Sequence, residues 1–294
     1  MTPLMPASSQ ASPTVEPRAG SAPVAFIGGG NMARALVGGL LRSGVAPEAV
    51  HLAEPRLESR EALVRDWGIA THARNRDAAS AAATWVLAVK PQVMQAVCLE
   101  LSALAQSQRP LILSIAAGVR SDQIERWLGG AMRIVRAMPN TPALLGAGAS
   151  ALYAGPRVDA DGRDRAEVIM RAAGIACWVD KEEQLDAVTA LSGSGPAYFF
   201  LLVEAMAAEA IELGLEPSTA RLLAEQTCLG AGRMLRESDA GATTLRERVT
   251  SPGGTTAAAL EVFRQAGFAA LVARALRAAA DRAAELSTQA DSSP

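Results

Sequence analysis

Short apolar runs recur through the first half of the chain and alternate with stretches of helical periodicity. The clearest runs are Val24–Ile27, Trp85–Val89 and Leu111–Ile115. Runs of this length and composition predict buried strands. Weaker runs bring the predicted total to about eight, and they lie near residues 49–53, 69–70, 132–137, 149–152 and 175–179. Strands that alternate with helices predict a doubly wound α/β domain around a parallel sheet.

The pattern changes at about residue 181, where strand-like runs stop and helical periodicity continues to about residue 288. It predicts a long helix that ends at Gly214, a helix from about Pro217 to Arg236, a short helix near 243–249 and two later helices. These helices are apolar around much of their circumference, so one layer cannot bury them. We therefore predict an obligate dimer through this half of the chain.

Composition narrows the function classes. The 294-residue chain has a formal net charge of −2, so no nucleic-acid footprint is visible. Its three cysteines are far apart and odd in number, which indicates free thiols in a reducing, cytoplasmic compartment. No Cys/His spacing predicts a metal site, and no apolar run approaches the roughly 20 residues of a membrane span. Residues 1–20, rich in Pro, Ser and Ala, are predicted to be a disordered tail.

A glycine-rich segment follows the first predicted strand and opens a helical pattern. It fits G-x-G-x-x-A, with Gly28 and Gly30 as the glycines and Ala33 in the third small position. This arrangement gives a tight turn, a close backbone approach to a pyrophosphate and close helix–strand packing. The alternative is a glycine-rich turn in an α/β protein that binds no nucleotide.

The second predicted strand ends in Glu54-Pro55-Arg56, at the distance from the glycines where an adenine ribose is read. Glu54 favours NAD, because a carboxylate accepts a hydrogen bond from the ribose 2′-OH. Arg56 favours NADP, because a guanidinium pairs with a 2′-phosphate. A solvated ion pair at a strand end is a third interpretation.

Other candidate ligand residues follow later strands. Lys90 and the Ala116-Ala117-Gly118 turn lie at predicted carboxyl ends, where open parallel sheets bind ligands. Lys90 is equally well explained as an exposed amine. The Met138–Pro142 segment, with two prolines around Asn-Thr, predicts a rigid turn that either braces the floor of a site or simply joins two strands.

The segment Ser251-Pro252-Gly253-Gly254-Thr255-Thr256 runs into a pattern of good helix formers. Pro252 suits the first turn of a helix, and the glycines permit a sharp turn. Threonine hydroxyls and backbone N–H groups beside the positive end of the helix dipole predict a cradle for a carboxylate or phosphate. The alternative is an ordinary turn before a capped helix.

The acid–base residues restrict the chemistry. Dehydrogenases of alcohols and hydroxy acids need a general acid or base, often His or Lys. Both histidines lie near the predicted adenine side, and the helical half contains a single lysine at its start. We therefore favour an acceptor that carries its own proton, such as a cyclic iminium, although Tyr, Glu or Lys90 offers an alternative base.

Five segments in order give the chain its resemblance to pyrroline-5-carboxylate reductases over about residues 22–285. They are Phe26–Ala33, Ala88–Gln92, Ala137–Pro142, Leu191–Tyr198 and Val249–Thr256. The resemblance implies a Rossmann domain over 21–180 and an all-α substrate-binding and dimerisation domain over 181–294. It further implies the reduction of Δ1-pyrroline-5-carboxylate to L-proline by NADPH, with NADH as the alternative, in homodimers that often form a decamer.

The resemblance also implies roles for individual residues. Ser251, Gly254, Thr255 and Thr256 would hold the substrate carboxylate, with the Thr256 hydroxyl beside the ring nitrogen as the catalytic group. Glu54 departs from the small or polar residues usual in NADPH-preferring members. The implied cofactor-binding residues are Gly28, Gly30, Asn31, Met32, Ala33, Arg56, Asn75, Ala88, Val89, Lys90, Pro91, Ala116 and Ala117.

Two other functions compete with a reductase. A β-hydroxyacid dehydrogenase shares this architecture but carries Lys-x-x-Asn on a helix of its second domain, whereas Lys181 is followed by Glu182-Glu183-Gln184. A non-catalytic dinucleotide sensor would bind cofactor without turnover, and the intact Ser251–Thr256 segment argues against it.

Overall fold

A computed structural model describes residues 22–289. The chain divides into two compact units between Glu182 and Glu183, close to the domain boundary expected from sequence at residue 180. The tail predicted for residues 1–20 lies outside the described residues.

The described part of the first unit, residues 22–182, contains one sheet of eight strands, numbered in chain order, with the spatial order β3-β2-β1-β4-β5-β6-β7-β8. Neighbouring strands are parallel except β6 and β7, so the predicted doubly wound sheet is confirmed. The order reverses between β1 and β4, which makes their carboxyl ends the switch point where such sheets bind ligands. The strands are β1 Val24–Ile27, β2 Val50–Ala53, β3 Ala70–His72, β4 Thr84–Leu87, β5 Leu111–Ser114, β6 Arg133–Met138, β7 Gly148–Ala154 and β8 Gly174–Trp178.

The antiparallel pair differs from the all-parallel sheet predicted from sequence. A short 3₁₀ turn at Thr141–Leu145 connects β6 to β7, and the Asn140 side-chain oxygen accepts a hydrogen bond from the Ala149 amide at 2.8 Å. A parallel return needs a longer crossover, usually a helix, so this short connection reverses the strand. The proline-bracketed segment therefore joins two strands.

Helices cover both faces of the sheet. Phe26 packs in the core on one face, and Ala25 and Ile27 pack in the core on the other. Burial on both sides explains why the strands read as continuous apolar runs. The helices of this unit are α1 Asn31–Arg42, α2 Leu57–Trp67, α3 Asn75–Ser80, α4 Pro91–Gln108, α5 Ser121–Trp127 and α6 Ala160–Arg171.

The described part of the second unit is helical. The helix at residues 195–212 packs against the one at 217–237, and the last helix, at 268–289, packs against the short helix at 184–188 and against a π-helical turn at Thr189–Gly193. This turn directly precedes the helix at 195–212, the long helix predicted from sequence, and the Tyr198 hydroxyl of that helix donates to the Ala190 carbonyl of the turn at 3.0 Å. The helices are α7 Gln184–Val188, α8 Gly195–Glu212, α9 Pro217–Glu237, α10 Ala242–Arg248, α11 Thr255–Gln265 and α12 Phe268–Gln289.

This unit leaves much apolar surface exposed, including Phe200 at 68% and Val262 at 67% of full exposure. By length and composition alone, the helical run Gln184–Glu212, and the bent pair α11 and α12, could also cross a membrane. The sequence analysis predicted no segment long enough to cross a membrane. The structure differs because α7, the π turn and α8 form one continuous helical run. One or two such helices are weak evidence for a membrane. Exposed apolar surface of this extent marks an interaction face.

Candidate active site

The glycine-rich turn lies at the carboxyl end of β1, beside the end of β4. Gly28 has a φ of +105°, and a Cβ atom there would lie 2.8 Å from the Ala88 carbonyl oxygen. Only glycine satisfies both the dihedral angle and the close approach. A Cβ atom on Gly30 would meet no atom within 4 Å, so the space beside the turn is open. This is the cradle that a dinucleotide pyrophosphate requires.

Helix α1 begins directly on this turn and presents its amino end to it. Gly30 is the N-cap and no side chain caps the helix. Within the described residues, the backbone N–H groups of Asn31, Met32 and Ala33 donate to no other group. Free N–H groups at the positive end of a helix dipole bind anions. The Ala33 side chain, 1% exposed, packs in the core below.

The other predicted cofactor residues come to the same edge of the sheet. Ala88 and Val89 follow β4, and Lys90 is the exposed N-cap of α4, which starts at Pro91. Ala116 and Ala117 follow β5, and Arg56 follows β2. Asn75 opens α3 after β3, and its side-chain amide donates to the Glu100 carboxylate at 2.8 Å. These residues together form a candidate dinucleotide site on one unit.

The two histidines also lie in this unit, on the outer strands β2 and β3. His51 Nδ1 and His72 Nε2 are 3.2 Å apart. Partial burial, together with the neighbouring His72 ring, lowers the pKa of His51 below its ordinary value. The 3.2 Å separation shows that the two imidazole rings are hydrogen-bond partners. Among the described residues, no group of three or more His, Cys, Asp or Glu could hold a metal ion.

The Ser251–Thr256 segment forms a turn and then a helix, in a way that corrects one expectation. Helix α11 starts at Thr255 with Gly254 as its N-cap, so Pro252 precedes the helix and is not in its first turn. The Gly254 amide donates to the Ser251 carbonyl at 3.0 Å, and Gly253 has a φ of +69°. Proline second and a positive φ third are typical of a type II turn.

The amino end of α11 resembles that of α1 in its unused donors. No side chain caps the helix, and within residues 22–289 the amides of Thr255, Thr256 and Ala257 donate to no other group. Thr255 and Thr256 add two hydroxyls that make no hydrogen bond in that range. Since the helix dipole favours negative charge here, this segment is a candidate carboxylate site on the helical unit.

A buried charged cluster near the end of the first unit was missed by sequence reasoning. The Glu182 carboxylate accepts from the Ser121 amide and hydroxyl, each at 2.6 Å, and from Arg136 at 2.8 Å. The side chains of Arg136 and Glu182 are each 7% exposed. The available signal was Arg136, one of two arginines with Arg133 in the otherwise apolar run 132–137. The cluster ties the last residue of the first unit to β6 and to the start of α5.

Comparison with known proteins decides the family. Residues 182–286 match the family described as pyrroline-5-carboxylate reductase dimerisation, and residues 23–118 match the family described as NADP oxidoreductase coenzyme F420-dependent. The pyrroline-5-carboxylate reductase of Pseudomonas aeruginosa is 49% identical over 268 residues, which cover 90% of this chain and 97% of that protein. The chain belongs to the pyrroline-5-carboxylate reductase family. It is an oxidoreductase of the pyrroline-5-carboxylate reductase kind, as the resemblance implied.

Other members of the reductase family agree over nearly the whole chain. The Pisum sativum reductase is 37% identical over 262 residues, covering 89% of this chain and 95% of that protein. A solved reductase from Coxiella burnetii has a TM-score of 0.88 at 46% identity, covering 91% of this chain and 99% of its own. A Plasmodium falciparum reductase solved with NADP bound has a TM-score of 0.78 at 27% identity, covering 90% and 98%. The NADP oxidoreductase match and the NADP-bound relative indicate a nicotinamide cofactor. The match to the dimerisation family indicates a homo-oligomer built through the helical unit.

Proposed function

We propose that the substrate carboxylate of Δ1-pyrroline-5-carboxylate rests on the amino end of α11 while the chain reduces the ring to L-proline. The observation that carries this proposal is the set of unused donors at Thr255, Thr256 and Ala257. A carboxylate is a small anion of the size that three converging N–H groups hold. Ser251, at the start of the preceding turn, and Gly254, the N-cap, complete the cradle.

Thr256 is the proposed catalytic residue. Its hydroxyl acts as a hydrogen-bond partner of the ring nitrogen as that nitrogen changes from iminium to amine. The ring enters with a proton already on nitrogen, so the helical unit needs no histidine or lysine as a general acid. The hydroxyl positions the C=N bond and remains the hydrogen-bond partner of the nitrogen as the nitrogen loses its positive charge.

The carboxyl edge of the sheet is the proposed dinucleotide site. The α1 amides and the Gly28–Gly30 turn hold the pyrophosphate, and Ala88–Pro91 and Ala116–Ala117 line the path beyond it. Asn75 and Arg56 lie toward the outer strands β3 and β2, where the adenosine half extends. Bound NADPH or NADH supplies the hydride for the imine carbon. The iminium proton stays on nitrogen, so one hydride converts the protonated imine into the amine.

A bulky side chain at the α11 N-cap tests the carboxylate site. Gly254 has an ordinary φ of −81°, so Gly254→Val introduces no left-handed strain. A Cβ atom on Gly254 would lie 3.2 Å from the Ser251 carbonyl oxygen, so the valine crowds both the Ser251–Gly254 turn and the proposed carboxylate position. We expect the KM for pyrroline-5-carboxylate to rise at least about tenfold while cofactor affinity is unchanged. Gly241→Val is the matched control, because Gly241 is the uncapped N-cap of α10 with nearly the same backbone. An unchanged KM in Gly254→Val places the anion elsewhere.

A steady-state assay tests the proposed reaction. Purified protein with pyrroline-5-carboxylate and either reduced coenzyme should oxidise the coenzyme and form proline in a one-to-one ratio. A dinucleotide sensor would bind the coenzyme without oxidising it, and a hydroxy-acid dehydrogenase would prefer an open-chain carbonyl acid. Failure to reduce the cyclic imine with either coenzyme contradicts the proposal.

Assembly and location follow as further proposals. We infer a homodimer through the exposed apolar faces of the helical unit as the building block, with five dimers forming a decamer. The free cysteines, Cys98, Cys177 and Cys228, suit the reducing cytoplasm. Mass measurement at two protein concentrations separates a dimer from a decamer.

A further inference from the structure

The Glu54 carboxylate is fixed beside the glycine-rich turn. Glu54 follows β2, is 6% exposed, and its amide donates to the His72 carbonyl of β3 at 3.0 Å. A Cβ atom on Gly29 would lie 2.9 Å from Glu54 Oε2, so this oxygen faces the middle of the turn. Oε1 accepts hydrogen bonds from the Arg56 amide and Nε at 3.1 and 3.0 Å. Within residues 22–289, Oε2 accepts none.

A buried carboxylate with one unused oxygen discriminates between the two coenzymes. At this point of a dinucleotide site, such an oxygen accepts a hydrogen bond from the ribose 2′-OH of NADH. The 2′-phosphate of NADPH carries roughly −1.5 to −2 charges at pH 7 and has few protons to donate. It would meet a fixed negative charge in a site poorly exposed to water, where screening is weak.

The two arginines that follow Glu54 are already directed to the Glu54–Pro55 segment. Arg56 directs Nε to the Glu54 carboxylate, although its side chain is 73% exposed. Arg60 donates from Nη1 to the backbone carbonyls of Glu54 and Pro55 at 2.9 and 2.8 Å. Both guanidinium groups are thus turned toward oxygens of the Glu54–Pro55 segment. Removal of the Glu54 carboxylate frees Arg56 Nε for a phosphate.

We propose that Glu54 is the specificity-determining residue of the cofactor site and makes this chain prefer NADH over NADPH. The proposal rests on the proposed dinucleotide site at the carboxyl edge of the sheet. It departs from the NADPH expected by resemblance. It also sets this chain apart from the Plasmodium falciparum relative that was solved with NADP.

Binding titrations of the full-length protein test this preference. Kd values for NADH and NADPH are measured from nicotinamide fluorescence, without substrate, for the unmodified chain and for Glu54→Ser. We expect the unmodified chain to bind NADH at least about tenfold tighter, the value of one charged hydrogen bond, and Glu54→Ser to reverse the order. Adding Arg56→Ala to Glu54→Ser should remove the gained NADPH affinity. Glu58→Ser, the same change on the exposed first turn of α2, is the matched control and should leave the ratio unchanged.

Two results would overturn the proposal: tighter binding of NADPH by the unmodified chain, or a Kd ratio that Glu54→Ser moves less than about twofold. If Glu54→Ser does not fold, Glu54→Gln keeps the shape of the side chain, and the unmodified ratio still decides. The readout needs no turnover. A chain that binds NADH selectively but reduces no pyrroline-5-carboxylate would contradict the proposed function and leave this inference standing. A chain that reduces pyrroline-5-carboxylate but does not bind NADH selectively would contradict this inference and leave the proposed function standing.

Discussion

Thr256→Ala will lower kcat for pyrroline-5-carboxylate reduction by about 100-fold, the scale of losing one donor or acceptor that acts on the reacting group. The Kd for the coenzyme will stay within about twofold of that of the unmodified protein, because the proposed coenzyme site lies at the carboxyl edge of the sheet and does not include Thr256. Alanine is the best helix former, and the Thr256 hydroxyl makes no hydrogen bond within the described residues, so the variant should fold normally. Steady-state kinetics with saturating coenzyme and a separate coenzyme titration measure both quantities.

Thr256→Ser and Thr256→Val separate the hydroxyl from the shape of the side chain. Serine keeps the hydroxyl and should recover turnover to within a few-fold, whereas valine keeps the shape and should behave like alanine. Equal turnover in all three variants would remove Thr256 from the mechanism.

Arg136→Met will destabilise the protein by about 3 kcal/mol, the lower end of the usual cost of breaking a buried ion pair. Glu182 would keep the two Ser121 donors and the more distant Arg120 guanidinium, at 3.9 Å, while remaining 7% exposed. Arg133→Met is the matched control on the same strand, because Arg133 pairs with the more exposed Asp159 at 3.5 Å and such pairs contribute about 0–1 kcal/mol. Urea unfolding at one fixed protein concentration measures both, since the stability of an oligomer depends on concentration. Equal losses in the two variants would show that the buried pair has no special role.

The same cluster predicts a pH dependence. Burial alone would raise the pKa of Glu182, but the hydrogen bonds from Ser121 and the Arg136 guanidinium outweigh it and hold the pKa below its ordinary value of 4.5. A carboxyl with a lower pKa in the folded chain contributes stability above about pH 4.5, and this contribution is lost as the pH falls through the folded-state value. The stability difference between the unmodified chain and Glu182→Gln should therefore be largest near pH 7 and shrink below pH 4.5.

Local pattern predicted most of the fold because both faces of the sheet are buried. Val24–Ile27 reads as an uninterrupted apolar run and forms β1 with those bounds. The strand near 149–152 was predicted, but its antiparallel direction was not. Strand direction depends on how the short 141–145 turn folds back and not on the apolar run itself. The position of Pro252 was misjudged because the left-handed Gly253 delays the helix start by three residues, which spacing alone does not reveal.

The candidate site divides in the same way. The two free helix ends were predictable, since glycine-rich turns before apolar helical patterns are local signals. The Arg136–Glu182 pair was not, because its members are far apart in sequence and meet only once β6 and the end of the first unit are in place. The sequence left three interpretations of the Glu54–Arg56 segment open. The structure adds that Glu54 Oε2 faces Gly29 and that Arg56 Nε donates to Oε1, and these contacts are the basis of the proposed NADH preference.

A crystal structure of the protein with bound L-proline tests the proposed carboxylate site at the start of α11. We expect the proline carboxylate within hydrogen-bond distance of the Thr255, Thr256 and Ala257 amides, with the ring nitrogen beside the Thr256 hydroxyl. Proline bound in the crystal with its carboxylate away from residues 251–257 would contradict it.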